Sequence, residues 1–318
     1  MMMSEFGFGS TTDDVLAGKD LTGKTVFITG GNSGLGQETG RAMAAKGAHV
    51  VLAGRDQAKL DDAVKAIKTN HPSANVETVI GDLGSLESVR QCAAEANERF
   101  DKIDLLINNA GIMATPFGKT ADGFESQFGT NHLGHFVLTK HLMPLIQNGS
   151  DKRIVNLSSR GHHTAPVDLD DINFESRDYH PFISYGQSKT ANVLFSVGLE
   201  QRFADQGIHA YAVHPGGINT NLGRYMSDET REFLMKSITT RDPNFQFKSI
   251  PQGAATSCWA ATSVDVEGQG GVYCEDCHVA QTDDEAATHG VRSYALDPES
   301  ADRLWSMSEA MTGEAFTA

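Results

Sequence analysis

The segment YGQSK places a tyrosine and a lysine four residues apart, at Tyr185 and Lys189. On a helix this spacing brings the two side chains to the same face. A phenol with a pKa of about 10 is a poor acid or base at neutral pH, but a neighbouring ammonium stabilises the phenolate and lowers that pKa. The hydroxyl of Ser159, in VNLSS, could donate a hydrogen bond to a substrate oxygen on which charge develops. These side chains could move a proton to or from that oxygen, although each alone is a common feature of helices and loops.

A glycine-rich loop, TGGNSGLG, follows an apolar run near the start of the chain and precedes a helix-like stretch. Gly30, Gly34 and Gly36 remove side chains where the backbone must turn and approach a pyrophosphate. The helix that follows offers free N–H groups and its positive dipole end to that anion. Glycines also mark ordinary turns, but the position between a first strand and a first helix predicts a dinucleotide site.

The second apolar run ends in AGRD, where Gly54 is followed by Arg55 and Asp56. NAD sites commonly have an acidic residue at this strand end, for the ribose hydroxyls. A guanidinium instead suits a 2′-phosphate, and a contact of about 1.5–3 kcal/mol would favour NADP roughly tenfold to a hundredfold. Arg55 could also be a solvated surface residue, and the carboxylate of Asp56 would weaken the preference. We expect NADP(H) to be favoured and NAD(H) to remain usable.

These residues depend on a regular scaffold, because β-branched runs alternate with helix-like segments from residue 24 onward. Near-continuous apolar strands separated by helices predict a parallel sheet covered on both faces. We therefore expect one doubly wound α/β domain. The predicted strands are residues 24–30, 49–55, 75–82, 103–109, 153–159, 208–215 and 270–276.

The composition excludes several classes of protein. Of the 318 residues, 39% are hydrophobic, which is typical of a globular chain with a large core, and the net charge is −15. This charge argues against nucleic acid or an anionic membrane as a partner. The first residues resemble no signal peptide, and no apolar run approaches the roughly eighteen residues of a membrane span. The sequence predicts a cytoplasmic protein whose four cysteines are thiols.

Together and in this order, the motifs resemble the short-chain dehydrogenase/reductase family. The resemblance covers about residues 21–282, with extensions at 1–20 and 283–318. It implies a single Rossmann-type, doubly wound, parallel seven-stranded sheet with helices on both faces. It also implies that Tyr185 is the general acid/base, that Ser159 polarises the carbonyl, and that Lys189 holds the nicotinamide ribose and tunes Tyr185. Asn131, in FGTNHL, would anchor a water that relays protons to Lys189.

The resemblance further implies the cofactor contacts. Asp82 would bind the adenine amino group, while the backbone at Ile218 and the hydroxyl of Thr220 would hold the carboxamide. No metal site is expected. The expected cofactor-binding residues are Gly30, Asn32, Ser33, Gly34, Leu35, Gly36, Arg55, Asp82, Leu83, Asn109, Ala110, Gly111, Tyr185, Lys189, Pro215, Gly216, Ile218 and Thr220.

The phrases GDLGSLESVR, FGTNHLGHF and YGQSKTANVLFS are similar to the branch that contains retinol dehydrogenases and the WW-domain-containing oxidoreductase. The resemblance implies an NADP(H)-dependent enzyme that interconverts an alcohol and a ketone or aldehyde, on a lipophilic or aromatic small molecule. A carbon–carbon double-bond reductase and a non-catalytic NADP-binding sensor stay open as alternatives, as does a homodimer or homotetramer.

A lid over the substrate is expected in residues 222–252, whose aromatic and methionine side chains would either line the pocket or pack in the core. These are Tyr225, Met226, Phe233, Met235, Phe245 and Phe247. His162 and His163 follow Ser159 closely and either border the same pocket or support the loop.

Two further patterns suggest cofactors that the rest of the chain does not favour. Cys274, Cys277 and His278 form Cys-x-x-Cys-His, the spacing of c-type haem attachment. We expect Cys274 to pack in the last strand and Cys277 to cover its end, with a thiol switch left open. His132 and His135 lie three residues apart without a zinc motif, so we expect them to pack or to face solvent.

Overall fold

The computed structural model describes residues 5–316, and its strands form one sheet in the order β3-β2-β1-β4-β5-β6-β7-β8. The first seven strands of this order pair in parallel, and β8 pairs antiparallel with β7. The strands are β1 (Thr25–Thr29), β2 (His49–Gly54), β3 (Val76–Ile80), β4 (Leu105–Asn108), β5 (Arg153–Leu157), β6 (His209–His214), β7 (Val272–Glu275) and β8 (His278–Val279).

Helices connect the strands and cover both faces of the sheet. They are α1 (Thr12–Val15), α2 (Gly34–Ala44), α3 (Gln57–Asn70), α4 (Leu86–Arg99), α5 (Ser126–Phe128), α6 (Gly134–Gln147), α7 (Pro181–Phe203), α8 (Asp228–Arg241), α9 (Ile250–Thr262) and α10 (Pro298–Thr312). A π-helical turn, Gly129–Leu133, joins α5 to α6. Shorter 3₁₀ turns occur at Arg160–Thr164, Ala204–Gln206, Asn221–Tyr225, Val264–Val266 and Ser293–Ala295.

Alternation along the strands explains the two layers of helices. In β1, Val26 and Ile28 pack with Met43 of α2 and Trp259 of α9. Phe27, between them in sequence, belongs to the cluster on the opposite face, with residues of α4, α6 and α7. Since successive side chains of a strand point to opposite faces, an all-apolar strand requires cover on both sides. The predicted doubly wound α/β fold and all seven predicted strands are confirmed.

The eighth strand was not predicted. It has only two residues and follows a tight turn in which Asp276 and Cys277 both adopt positive φ, at 46° and 57°. Aspartate and cysteine indicate a turn with positive φ less strongly than glycine does. A strand of two residues is also too short to show the alternation of apolar and polar residues that predicts a strand.

Both extensions pack against the sheet domain where the structure describes them. Leu16 is fully buried and the Thr12 hydroxyl donates to Glu38 of α2 at 2.5 Å. At the other end, α10 packs on α7, and Trp305 and Phe316 join the core cluster of α6 and α7. Residues 1–4 and 317–318 of the predicted extensions lie outside the described residues. None of the helices in residues 5–316 combines the length and apolar character that a membrane crossing needs.

Candidate active site

A cavity of about 1030 Å³ opens where the parallel strands reach their carboxyl ends. Its lining includes Gly30 after β1, Arg55 after β2, Asn109 after β4, Ser159 after β5 and Pro215 after β6. Open α/β sheets bind ligands in this crevice, at the point where the strand order reverses. Every expected catalytic or cofactor-binding residue lines the cavity except Gly36 and Asn131, which lie directly behind its wall.

The glycine loop leaves room and free donors for a phosphate. Gly30 has a φ of +66°, and a Cβ at Gly36 would lie 2.5 Å from both the Gly30 carbonyl oxygen and Asn109 Nδ2. Ser33 is the N-cap of α2, yet its side chain accepts no capping hydrogen bond within the described residues. The first N–H groups of α2 therefore stay available at the cavity, as a dinucleotide pyrophosphate requires. The residues present fit a nicotinamide dinucleotide.

A hydrogen-bond chain fixes the loop after β4 against the glycine loop. The Thr29 hydroxyl oxygen accepts from the backbone N–H groups of Asn109, at 2.9 Å, and Ala110, at 3.0 Å. It lies 2.8 Å from Nε2 of His135, whose Nδ1 lies 2.9 Å from the Asn131 carbonyl oxygen. Burial lowers the pKa of His135 to about 4, so the imidazole is neutral. A neutral ring that donates from Nδ1 and accepts at Nε2 satisfies every partner.

The far end of the dinucleotide groove is rich in positive charge. Arg55, Lys59 and Arg224 all line it. Contact with the Tyr225 hydroxyl raises the pKa of Arg55. The carboxylate of Asp56 caps α3 by accepting from the Lys59 N–H at 3.2 Å and pairs with the same residue's Nζ at 3.2 Å. The Asp56 carboxylate thus forms its hydrogen bond and its ion pair with Lys59 of its own helix and not with Arg55. These contacts reduce the repulsion between Asp56 and a bound phosphate.

Ser159 and Tyr185 meet at the centre of the cavity. The Ser159 hydroxyl oxygen accepts from the Gly161 N–H at 3.0 Å, and the Ser159 hydroxyl lies near enough to the Tyr185 phenol to influence its pKa. A Cβ at Gly161 would lie 2.7 Å from Cε1 of Tyr185, so this approach depends on a glycine. Burial raises the pKa of Tyr185 to about 12, and the nearby Ser159 hydroxyl opposes that shift.

Lys189 lies one helical turn beyond Tyr185 on α7. Its Nζ donates to the Leu157 carbonyl oxygen at 2.9 Å and lies 5.6 Å from the centroid of the Tyr185 ring. Burial lowers the pKa of Lys189 to about 8. We expected the ammonium to lower the pKa of Tyr185; in this structure that pKa is raised instead, because burial removes the hydration that would stabilise the phenolate.

Asn131 lies in the π-helical turn and is fully buried. Its Oδ1 accepts from the Ile112 N–H at 2.9 Å, while its Nδ2 donates to the Ile112 carbonyl at 3.0 Å and to Ser188 Oγ at 2.9 Å. A Cβ at Gly111 would lie 3.2 Å from Asn131 Oδ1 and 3.6 Å from Lys189 Nζ. The asparagine therefore holds the loop that separates it from the lysine. Single π turns of this kind often occur at functional sites.

The turn after β6 is held by a residue that the sequence did not single out. Lys248 N–H donates to the Gly217 carbonyl at 2.9 Å, and its buried Nζ pairs with Asp276 at 2.5 Å. Gly216 has a φ of +90°, and a Cβ there would lie 2.8 Å from Cδ of Lys248. A lone lysine in an irregular segment carries no sequence signal for this role, and neither does Thr29.

The predicted lid lines the cavity only in part. Phe233, Phe245 and Phe247 contribute to its wall, whereas Tyr225, Met226 and Met235 do not. Helix α8 within this segment has no buried residue, and Phe233 is 62% exposed. Polar and charged side chains from the same segment also line the cavity, so the apolar wall that the sequence suggested is mixed.

Most of the other singled-out histidines and cysteines are buried, although His163 is half-buried and His278 is exposed. His132 Nε2 bonds to Ser308 Oγ at 2.8 Å, and His162 and His163 do not line the cavity. Cys274 and Cys277 are buried, and burial raises the pKa of both thiols, to about 11 at Cys277, so neither forms a ready thiolate. Among residues 5–316, no group of three or more histidine, cysteine or acidic side chains is arranged to hold a metal ion.

Comparison with known proteins finds relatives that align with nearly the whole chain. A model of the short chain dehydrogenase family matches residues 24–170. The short-chain dehydrogenase/reductase prx1 of Penicillium roqueforti is 40% identical over 95% of this chain and 89% of its own length. Retinol dehydrogenase 13 of Homo sapiens is 38% identical over 92% of this chain and 86% of its own length.

Among solved structures, an uncharacterised protein from Mycobacterium paratuberculosis matches with a TM-score of 0.74 and 35% sequence identity, over 98% of this chain and 100% of that one. The predicted resemblance to retinol dehydrogenases is confirmed by the curated relatives. The chain belongs to the short-chain dehydrogenase/reductase family of NAD(P)(H)-binding oxidoreductases.

Proposed function

We propose that this protein is an NADP(H)-dependent enzyme that interconverts an alcohol and a ketone or aldehyde, with Tyr185 as its general acid/base. The observation that carries the proposal is that Ser159 and Tyr185 line the same cavity as neighbours, close enough for the serine hydroxyl to influence the pKa of the phenol. Two hydroxyl donors that converge on one point can bind one carbonyl oxygen and supply it with a proton. Residues 21–282 form the catalytic unit in this proposal, and the cytoplasmic location stays a prediction.

The side chains divide the work of reduction between them. Bound NADPH supplies the hydride. The Ser159 hydroxyl donates a hydrogen bond to the substrate oxygen, and the Tyr185 hydroxyl, a protonated phenol at neutral pH, transfers its proton to that oxygen. Lys189, positively charged below a pKa of about 8, stabilises the phenolate that remains. Asn131 keeps the loop beside Lys189 in place and, on our proposal, anchors the water that returns a proton.

The positions of the other expected residues support the cofactor assignment. The free N–H groups at Ser33, Gly34 and Leu35 suit the pyrophosphate, and the loop after β6, at Ile218 and Thr220, suits the carboxamide. Arg55 and Arg224 supply two guanidinium groups near the end of β2, where a 2′-phosphate would lie. This supports NADP over NAD.

The test is NADPH consumption by the purified protein with a panel of aromatic and aliphatic aldehydes and ketones, with Tyr185→Phe and Ser159→Ala measured alongside. We expect turnover in the wild type and a loss of at least about a hundredfold in Tyr185→Phe, since general acid catalysis contributes about that much or more. Full activity in Tyr185→Phe would contradict the mechanism. Benzylideneacetone provides a further check, because reduction of its alkene rather than its carbonyl would indicate a double-bond reductase.

A further inference from the structure

Arg160 directly follows Ser159, and its side chain lines the cavity. Among residues 5–316 it forms no ion pair, and its one side-chain hydrogen bond is long, 3.5 Å from Nη1 to the Thr288 carbonyl oxygen. Other half-buried arginines of this protein have closer partners: Arg41 holds Glu38 at 2.8 Å, and Arg292 donates to two carbonyl oxygens at 2.6 and 2.8 Å. A guanidinium that leaves water without a carboxylate partner loses hydration free energy. Such a group beside the reacting atoms is suited to a ligand that supplies the missing charge.

A second guanidinium without an ion pair lies near enough to act on Arg160. Arg241, the last residue of α8, is exposed to solvent, lines the cavity wall and has no ion pair in the described part of the chain. Burial lowers the pKa of Arg160, and the positive charge of Arg241 lowers it further. Two like charges brought together across a cavity repel each other, so an anion between them would be stabilised by both.

The carboxylates near this end are already engaged. Glu275 accepts the Gly290 N–H at 2.7 Å, and burial raises its pKa. Asp242 accepts the Asn244 N–H at 3.1 Å. Asp276 pairs at 2.5 Å with Lys248, which also lines the cavity. Asp242 and Glu275 attract Arg160 at longer range, but neither lies close enough to form an ion pair with it.

Aromatic side chains also line the cavity. Phe182 and Phe245 belong to its wall together with Phe233 of α8. The cavity therefore combines three kinds of group in one space: two hydroxyl donors, aromatic side chains and a pair of arginines. A purely apolar molecule would satisfy only the first two and would leave both guanidinium groups unpaired.

We propose that the substrate carries a carboxylate, which Arg160 binds with the help of Arg241 while the reacting carbon lies at Ser159 and Tyr185. The substrate class is an oxo acid or the corresponding hydroxy acid with an apolar body. A guanidinium fork matches the two oxygens of a carboxylate, and the resulting charge-assisted bonds are about twice as strong as neutral ones. This inference rests on the proposed function and narrows its substrate from a lipophilic molecule to an amphipathic, anionic one.

The test compares 4-formylbenzoate with its methyl ester, two aldehydes that differ in the charge at the far end. In the wild type we expect kcat/KM with NADPH to be roughly tenfold or more higher for the acid. Arg160→Gln should lower the acid-to-ester ratio of kcat/KM by about that factor, and Arg160→Lys should restore part of it. Arg241→Gln should lower the ratio less. Arg303→Gln, an exposed arginine on α10, is the matched control and should leave the ratio unchanged.

Binding gives a second measurement that does not depend on turnover. Benzoate, but not benzamide, should raise the melting temperature of the wild type in the presence of NADP⁺, and Arg160→Gln should abolish this protection. Equal kcat/KM for acid and ester in the wild type, or an unchanged ratio in both Arg160 variants, would overturn the proposal and leave the proposed function standing. If neither aldehyde is reduced, the proposed function fails for aromatic aldehydes, and the benzoate experiment tests the carboxylate site by itself. Thermal protection by benzoate that is lost in Arg160→Gln would support the site. The absence of any protection in the wild type would overturn it.

Discussion

The ammonium of Lys189 lies 5.6 Å from the centroid of the Tyr185 ring and is held there by a 2.9 Å hydrogen bond to the Leu157 carbonyl. Both residues are buried, and burial opposes the charged form of each. The pKa of Tyr185 is raised to about 12 and that of Lys189 is lowered to about 8. Near neutral pH, therefore, the tyrosine is a protonated acid, while the lysine is close to losing its charge.

The two pKa values predict different pH profiles for the two directions of the reaction. Carbonyl reduction needs the phenol proton and the charge of Lys189, so its kcat/KM should fall above pH about 8, where Lys189 deprotonates. Alcohol oxidation needs the phenolate together with the charge of Lys189, so its kcat/KM should rise with pH up to about 8 and level off above it. Initial rates from pH 6 to pH 10 in both directions measure this. A reduction profile that stays flat to pH 10 would contradict it.

Replacing Lys189 with methionine should stabilise the protein at neutral pH while abolishing activity. A shift of the lysine pKa from 10.5 to about 8 corresponds to a cost of about 3 kcal/mol when the lysine is charged. The variant also loses the hydrogen bond to the Leu157 carbonyl, which offsets about 1 kcal/mol of this gain in stability. We expect thermal unfolding at pH 7 to shift upward by a few degrees.

The pH dependence of the stability difference between the wild type and Lys189→Met tests whether the buried charge is destabilising. Between pH 8 and pH 10.5 the unfolded chain binds a proton at Lys189 that the folded chain does not, so wild-type stability rises there and the advantage of Lys189→Met should shrink. Lys68→Met, at an exposed position of α3, is the control and should show no such trend. A variant less stable than the wild type at pH 7 would show that the buried charge is not a net cost.

Gly161→Ala should damage turnover without weakening cofactor binding. The new methyl group would lie 2.7 Å from Cε1 of Tyr185 and would push the phenol away from Ser159. A displacement of this kind can cost on the order of a hundredfold in rate. The measurements are kcat with a reducible aldehyde and the Kd of NADPH by fluorescence. Gly9→Ala, where a Cβ meets nothing within 4 Å, is the matched control. Normal kcat in Gly161→Ala would separate the Ser159–Tyr185 contact from catalysis.

Arg55→Gln should reduce discrimination between the two cofactors. The guanidinium lines the cavity beside the end of β2, and its loss removes a charge-assisted contact to a 2′-phosphate. We expect the NADPH-to-NADH ratio of kcat/KM to fall roughly tenfold to a hundredfold. Arg303→Gln again serves as the control. If both cofactors lose the same factor, Arg55 supports the groove without recognising the phosphate.

Glu314→Gln should destabilise the protein at pH 7 but not in acid. Burial favours the protonated acid, but hydrogen bonds from Lys140, Arg90 and His141 outweigh it and hold the Glu314 pKa at about 2. The unfolded value is near 4.5, so the stabilisation is complete above that pH and is lost as the pH falls toward 2. We expect a melting temperature a few degrees lower at pH 7 and a small difference at pH 2. An equal difference at both values would point to packing rather than charge.

The features that could be predicted from the sequence are those that leave a regular pattern in it, namely the strands, the helices and the glycine loop. Strands such as β1, buried along their whole length, required a parallel sheet covered on both faces, and a glycine loop between β1 and α2 indicated where a dinucleotide would bind. The sequence could not predict interactions that depend on burial or on residues far apart in the chain. The pKa of Tyr185 follows from how completely the fold removes water from the phenol. Lys248 acquires its role from Gly216 and Asp276, which only the tertiary structure brings to it.

The aromatic cluster that closes one face of the sheet has a consequence for biosynthesis. Trp305 and Phe316 contact Phe136 of α6, and Trp305 also contacts Phe195 of α7. Both are translated after every strand and after the helices they cover. A nascent chain that has already completed its sheet therefore still exposes the aromatic face of α6 and α7 to chaperones and to other chains. The exposed aromatic face of α6 and α7 is buried only when α10 and Phe316 pack on it. Translational pausing or truncation before residue 305 should therefore favour aggregation over folding.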